Sequence, residues 1–333
     1  MNSEIKFSKA IVLIVAVAAF TPVIASAITV TDDDGMTITF NATPMRIVSL
    51  APSNTEILAA LGLLDRVVGV TDACDYPPEV LNITRIGGHS GISIEMIAAV
   101  QPDLVLASDI TPKETISRLQ ELGVPVVVIA PQAIDRVLND IRLVGQVTGT
   151  ETRADKLADR LSDRIAVAHA VADHPSTVAH VVWHDPLYVS GNTTLQNDVI
   201  VHAGGINSFS DRNGWNTVSP EEFLLKDPEI ILVNSGSGSD PSEKNVVRDS
   251  FMANPQYASL SAVRKNHLYV IDADSISRPG PRIVDATEEL SRIIQMAESE
   301  PPASQPGKIP KTPGFIASIA MLGLFAILMM TRK

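Results

Sequence analysis

Apolar residues along this chain follow two alternating periods. Short, largely apolar runs at 46–50, 67–70, 104–107 and 126–129 read as strands buried on both faces. Between them lie stretches with helical spacing, one over 55–61 behind a Ser53 or Asn54 cap and one over 112–122 opened by Pro112. A longer stretch starts at a Thr150 cap and puts Ala154, Leu157, Leu161, Ile165 and Ala168 on one face, with Arg153, Lys156, Asp159, Arg160 and Asp163 elsewhere. That spacing predicts one long helix ending near His174-Pro175. Past it, the run 178–183 opens a second series of strands and helices that closes with a helix over 281–296. Strands apolar throughout and separated by helices predict parallel sheets covered on both faces.

The two series share a pattern. Ser93-Ile94-Glu95 leads to Pro102-Asp103-Leu104, and Ser219-Pro220-Glu221 leads to Pro228-Glu229-Ile230, with serine two positions before glutamate and glutamate seven before proline in both. Each unit reads as a short helix capped by serine, with a glutamate at its positive end, ended by proline and followed by a strand. A second echo precedes each unit: an apolar helix closed by glycine, at 57–62 and again at 199–205. The predicted class is therefore α/β, with two similar α/β lobes joined by one long α-helix and a ligand cleft between them. The N-terminal lobe is expected over 28–148, the linker helix over 149–174 and the C-terminal lobe over 175–298.

The ends have a different character. Lys6 and Lys9 precede an apolar run at 11–20, and Ala25-Ser26-Ala27 is a small-residue cleavage site, so 1–27 reads as a secretory signal. At the other end, 299–313 is a Pro-rich stalk, and 314–333 is an apolar tail closed by Arg332-Lys333. Its 16 charge-free residues, 315–330, reach about 24 Å, short of the roughly 30 Å hydrocarbon core. The expectation is a protein at the extracellular face of the cell membrane, held by its C-terminus. Sequons at Asn41, Asn82 and Asn192 are compatible with glycosylation there.

Charge removes one class of function. The whole chain carries a net −12, and the end segments hold Lys6, Lys9, Arg332 and Lys333, so the body is more acidic still and nucleic acid is repelled. The single cysteine, Cys74, has no partner for an internal disulfide. No Gly-x-Ser-x-Gly elbow, His-Glu-x-x-His or phosphate loop is present; Ser235-Gly236-Ser237-Gly238-Ser239-Asp240 is followed by Pro241 and reads as a loop. An enzyme is not expected, and no cofactor or resident metal is expected. His180 and His184, placed on one side of a strand, with His89, His202 and His267, form the rival reading of a transition-metal receptor or of axial ligands in a cleft. A purely adhesive or structural surface protein is the reading from another class. It predicts no small-molecule cleft.

The segments Arg46-Ile47-Val48-Ser49-Leu50-Ala51-Pro52-Ser53-Asn54-Thr55-Glu56 and Asp72-Ala73-Cys74-Asp75-Tyr76-Pro77-Pro78-Glu79, with the Glu95 unit, resemble the cobalamin and iron-siderophore class of ABC-importer binding proteins. The resemblance covers roughly 45–297. It implies a monomer that captures a corrinoid between its lobes, or alternatively a ferric siderophore or haem, and delivers it to a permease with its ATPase. Glu95 and Glu221 stand at the family's permease-docking positions. Trp215 and Tyr188 match aromatic ligand contacts, and Asp274 and Arg278 match the polar end of that site. His89, Ala73 and Ser108 stand where matched members carry aromatics, which implies a smaller or more polar first-lobe wall. The tail, with Pro313-Gly314-Phe315, resembles the archaeal PGF-type sorting signal, which implies cleavage and a lipid anchor.

Overall fold

The computed structural model describes residues 27–88, 91–170, 175–235 and 245–299. The expected signal, most of the stalk and the tail lie outside the described residues. In chain order the first half contains strands β1 (Ile28–Thr31), β2 (Thr37–Phe40) and β3 (Ile47–Ser49), helix α1 (Pro52–Ala60), β4 (Val67–Val70), α2 (Ile94–Ala99), β5 (Leu104–Ser108), α3 (Lys113–Glu121), β6 (Val126–Ile129) and α4 (Ile134–Thr148). Helix α5 (Glu151–Ala170) follows. The second half contains β7 (Thr177–His184), β8 (Leu187–Ser190), α6 (Leu195–His202), β9 (Ile206–Asn207), β10 (Trp215–Val218), α7 (Pro220–Lys226) and β11 (Ile230–Asn234). It ends with α8 (Val246–Ala253), α9 (Ser261–Arg264), β12 (Leu268–Ile271), α10 (Ala273–Ser277) and α11 (Ile283–Ser299).

These strands build separate sheets. The first lobe's sheet runs β4-β3-β5-β6 and is parallel throughout. In the second lobe β9, β7, β11 and β12 repeat that order in parallel, and β8 and β10 extend the sheet antiparallel beyond β7. The repeat read in the sequence is thus a repeat of topology. Ser93 accepts from the Met96 amide and Ser219 from the Glu222 amide, so the two capped helices α2 and α7 begin alike. The glycines Gly62 and Gly204 both take positive φ after their helices, as a left-handed C-terminal turn requires.

Alternate strand residues serve different cores. Ile47, Leu104 and Leu106 of the first lobe, and Val178, Ile230 and Leu232 of the second, join Leu157, Leu161 and Ile165 of α5 in one apolar cluster that runs through both lobes. Val48 and Val105 face a separate cluster with Leu119, and Val181, Leu187 and Ile231 another with Phe209, Phe223 and Phe251. A shared core at native packing density transmits strain, so the linkage is stiff. Helix α11 adds to it, with Glu288 and Asp285 taking Arg164 of α5 at 2.8 and 2.7 Å and Ser291 donating to the Ala168 carbonyl at 2.7 Å.

Three elements depart from the sequence reading. Helix α1 starts at Pro52 behind Ala51 with no side-chain cap, because Asn54 instead donates to the Ala107 carbonyl of β5 at 2.8 Å. Helix α4 was not expected between the 126–129 strand and Thr150. Its buried Ile134, Val137, Leu138, Ile141, Val144 and Val147 carry the helical period, and Gly145 lets α5 approach so closely that a Cβ there would lie 2.3 Å from the Cβ of Ala154. The hairpin β1–β2 is tied to β6 through Asp32, which accepts from the Val128 amide at 3.0 Å.

Candidate ligand cleft

The carboxyl ends of the two parallel sheets meet. Helix α1 follows β3, the 72–76 loop follows β4, and both touch the segment that follows β12. Arg278 donates to Glu56 at 3.2 Å and Asp75 at 2.7 Å across the lobes, and pairs with Asp274 at 2.8 Å within its own. Arg282 reaches both oxygens of Glu56, at 3.0 and 2.6 Å, and lies 4.3 Å over the Tyr76 ring. The Glu56 side chain is 2 % exposed, and these guanidinium groups take the place of water around its carboxylate. The Arg278 hydrogen bond holds the Asp75 carboxyl below its ordinary value. Open parallel sheets bind ligands at this end.

The second lobe supplies an aromatic wall there. Tyr188 on β8 and Trp215 on β10 stack, with centroids 5.6 Å apart and planes 19° from parallel. They are 38 % and 40 % exposed, which is unusual for large rings not yet covered by a partner. Strand pairing places Trp183 opposite Tyr188, adding a third exposed ring to the same face. Beneath them His180 is fully buried, bonded to Ser190 at 3.2 Å and Asn234 at 2.8 Å, with its ring 6.0 Å from Trp215. Burial lowers its pKa to about 4, so it is neutral. Ser235 at the end of β11 accepts from the Ala273 amide at 3.0 Å, which places wall and ion network at one end of one sheet.

The sequence places His180 and His184 on one side of a strand, and the structure does not. A bulge between Val181 and Trp183 breaks the alternation of β7. His180 shares the face of Ser190, whereas His184 pairs with core-facing Leu187 and borders a cavity of about 580 Å³ on the other side, with Asp185, Ser219 and Tyr257. The two do not lie on one side. Among the described residues no cluster of three or more His, Cys, Asp or Glu side chains is arranged to hold a metal.

Asp274 and Arg278 are brought together, but the guanidinium expected to face a ligand is engaged by protein carboxylates. Ala73 is exposed on the loop after β4. Ser108 is buried at the end of β5, its hydroxyl 3.4 Å from Thr111, so it offers little to a ligand. His89 lies outside the described residues. Glu95 and Glu221 are both exposed in the first turn of their helices, and the helix-start amide and Ser93 hold Glu95 ionised. Asn41, Asn82 and Asn192 are exposed. Glu56, Asp75, Tyr76, Arg282 and Trp183 were not singled out as site residues. Glu56 had one legible signal, a charge inside a helix otherwise patterned for burial.

Two lobes with facing sheet ends, an exposed aromatic wall and a polar floor define a solute-binding protein of the clamp type. The model of the periplasmic binding protein family matches residues 47–275, and the chain belongs to that family. An uncharacterized ABC transporter substrate-binding lipoprotein of Bacillus subtilis, YvrC, is 31% identical over 279 residues, 80% of this chain and 85% of that protein. The crystal structure of the periplasmic vitamin B12 binding protein BtuF of Vibrio cholerae matches at a TM-score of 0.67 and 27% identity, covering 77% of this chain and 99% of that one. The apo form of the haem-binding protein RhuT from Roseiflexus matches at 0.68 and 30%, covering 77% and 99%.

Proposed function

We propose that this chain is the extracellular solute-binding protein of an ABC importer, capturing a corrinoid between its lobes and delivering it to a permease and its ATPase. The observation that carries this reading is the stacked Tyr188–Trp215 pair set beside the Asp274–Arg278 floor. A broad, partly apolar macrocycle with polar side chains is the ligand that uses both surfaces. The relatives include proteins named for vitamin B12 and for haem, and haem or a ferric siderophore is the second reading. An adhesive role leaves the exposed aromatic wall without a use.

Glu95 and Glu221 are proposed to meet basic residues of the permease as equivalent corners of the two lobes. Each exposed ion pair contributes only about 0–1 kcal/mol, so the pairs orient the encounter more than they tighten it. Export by the N-terminal signal, anchoring through a PGF-type tail and glycosylation at Asn41, Asn82 and Asn192 complete the proposal. The test is ligand uptake by cells carrying Glu95→Arg with Glu221→Arg. Uptake should be abolished while the purified double variant keeps its ligand affinity; wild-type uptake would refute docking through these corners.

A further inference from the structure

The cavity of about 580 Å³ bordered by His184 belongs to the second lobe alone and shares no lining residue with the aromatic wall or the interlobe ion network. It lies between the β7–β8 turn, the start of α7 and the end of α8. Tyr257 reaches it from the core. Its ring packs against Phe251 and Phe223, with centroids 4.7 and 6.5 Å away, and the residue is only 5 % exposed. With the ring held in that aromatic cluster, the hydroxyl is the part that lines the cavity, and it has no hydrogen-bond partner among the described residues. Nδ1 of His184, in the same wall, is buried and also has no hydrogen-bond partner. Unpaired polar atoms in a buried wall are costly, so two of them at one cavity point to an occupant.

The charge around this cavity has one sign. Asp185 stands on its rim, exposed and without an ion-pair partner among the described residues. Glu221 is near as well: burial, then the charges of Asp185 and Glu221, raise the Tyr257 pKa, which keeps the hydroxyl protonated. No lysine or arginine lines the cavity among the described residues. Ser250 gives its hydroxyl hydrogen to the Val247 carbonyl at 2.7 Å and so turns only lone pairs to an occupant. Pro186, Leu187, Val218 and Pro220 supply apolar walls. The volume is that of an organic molecule and not of a bare ion. We infer that this cavity is a second ligand site, separate from the cleft, for a small organic cation bearing an amidinium, guanidinium or ammonium group. The N–H face of that group meets Asp185, Ser250 and Tyr257 as acceptors, and its body lies on the prolines and Leu187. An anion is repelled by Asp185 and Glu221, and a neutral analogue forgoes the charge-assisted bond. The inference stands whether or not the cleft takes a corrinoid.

The test holds shape fixed and varies charge. Benzamidine, benzamide and benzoate are flat molecules of one size that are cationic, neutral and anionic, and each is titrated at millimolar concentrations into the purified protein, with calorimetry and ligand-observed NMR as readouts. Benzamidine should bind at least about tenfold more tightly than either analogue at low salt, and less tightly at high salt because the attraction is screened. Asp185→Asn, a change at an exposed side chain, should weaken benzamidine about tenfold, and Tyr257→Phe, which keeps the ring, should weaken it by about threefold. An aromatic cation is also drawn to exposed rings, so the cleft is removed as a source of signal with Tyr188→Ala and Trp215→Ala together. Trp183 is then the one tryptophan left in the chain, and its Nε1 donates to the Asp185 carbonyl at 2.8 Å, so its emission reports the cavity's rim. Benzamidine should still bind this variant with wild-type affinity and shift that emission. No benzamidine binding, equal binding of the three probes, or binding that survives Asp185→Asn and is lost in the cleft variant would overturn the inference.

Discussion

Glu56→Gln is the perturbation that probes the joint between the lobes. The wild-type carboxylate accepts three charge-assisted hydrogen bonds, at 3.2 Å from Arg278 and at 3.0 and 2.6 Å from Arg282. The amide keeps the shape but removes the charge and turns an NH₂ group toward a guanidinium. Breaking one side of a buried ion pair costs about 3–5 kcal/mol. Arg278 retains Asp75 and Asp274, and Arg282 retains Tyr76 and, at 3.9 Å, Asp272, so the lower end applies and a loss of about 3 kcal/mol is expected. At about 2–4 °C per kcal/mol for a body of this size, the melting temperature falls by roughly 6–12 °C. The assay is urea denaturation of the purified protein with calorimetric melting beside it. Asp75→Asn is the control: this carboxylate is itself 56 % exposed, and its removal should cost less than about 1 kcal/mol. A Glu56→Gln loss below about 0.5 kcal/mol would refute the claim that these contacts hold the lobes.

Two buried groups give the stability opposite pH slopes. Burial, reinforced by Asp33, raises the Asp140 pKa to about 8, so between about pH 4 and 8 the folded state keeps a proton that the unfolded chain releases, and stability falls as pH rises. Asp140→Asn should flatten that fall and raise the melting temperature at pH 8; an unchanged slope between pH 5 and 8 would contradict it. His180 works the other way, its folded pKa lowered to about 4, so its contribution is complete above about pH 6.5 and is lost as pH drops toward 4. His180→Gln should weaken the acid limb of the melting curve, and Trp215 emission, from a ring 6.0 Å away, should report the same transition.

The continuous apolar strands and the α5 stripe were legible because burial on both faces or on one face writes itself into consecutive or helically spaced residues. All five stripe residues from Ala154 to Ala168 are buried. Helix α4 carries an apolar period, but Asp135, Arg136, Asp140 and Arg142 dilute it in the sequence. The hairpin β1–β2 does alternate, apolar with threonine in both strands, but each strand is only four residues long and buries a single side chain, Val30 or Phe40, so the signal is short. The interlobe network was illegible for a different reason. Glu56 stands 222 positions from Arg278 and 226 from Arg282, and nothing local to any of them specifies the pairing. The His184 error came from one inserted residue, since a bulge reverses every side chain beyond it. Trp215 and Tyr188 were found through resemblance; what the structure adds is their stacking and exposure.

Calorimetric titration of dicyanocobinamide into the wild-type protein and into the Tyr188→Ala, Trp215→Ala double variant tests the binding cleft most directly. One molecule bound per chain, with affinity falling at least about thirtyfold when both rings are removed, is the expected result from aromatic contacts of this kind. Equal affinity in the two proteins, or no heat in either, would contradict the account.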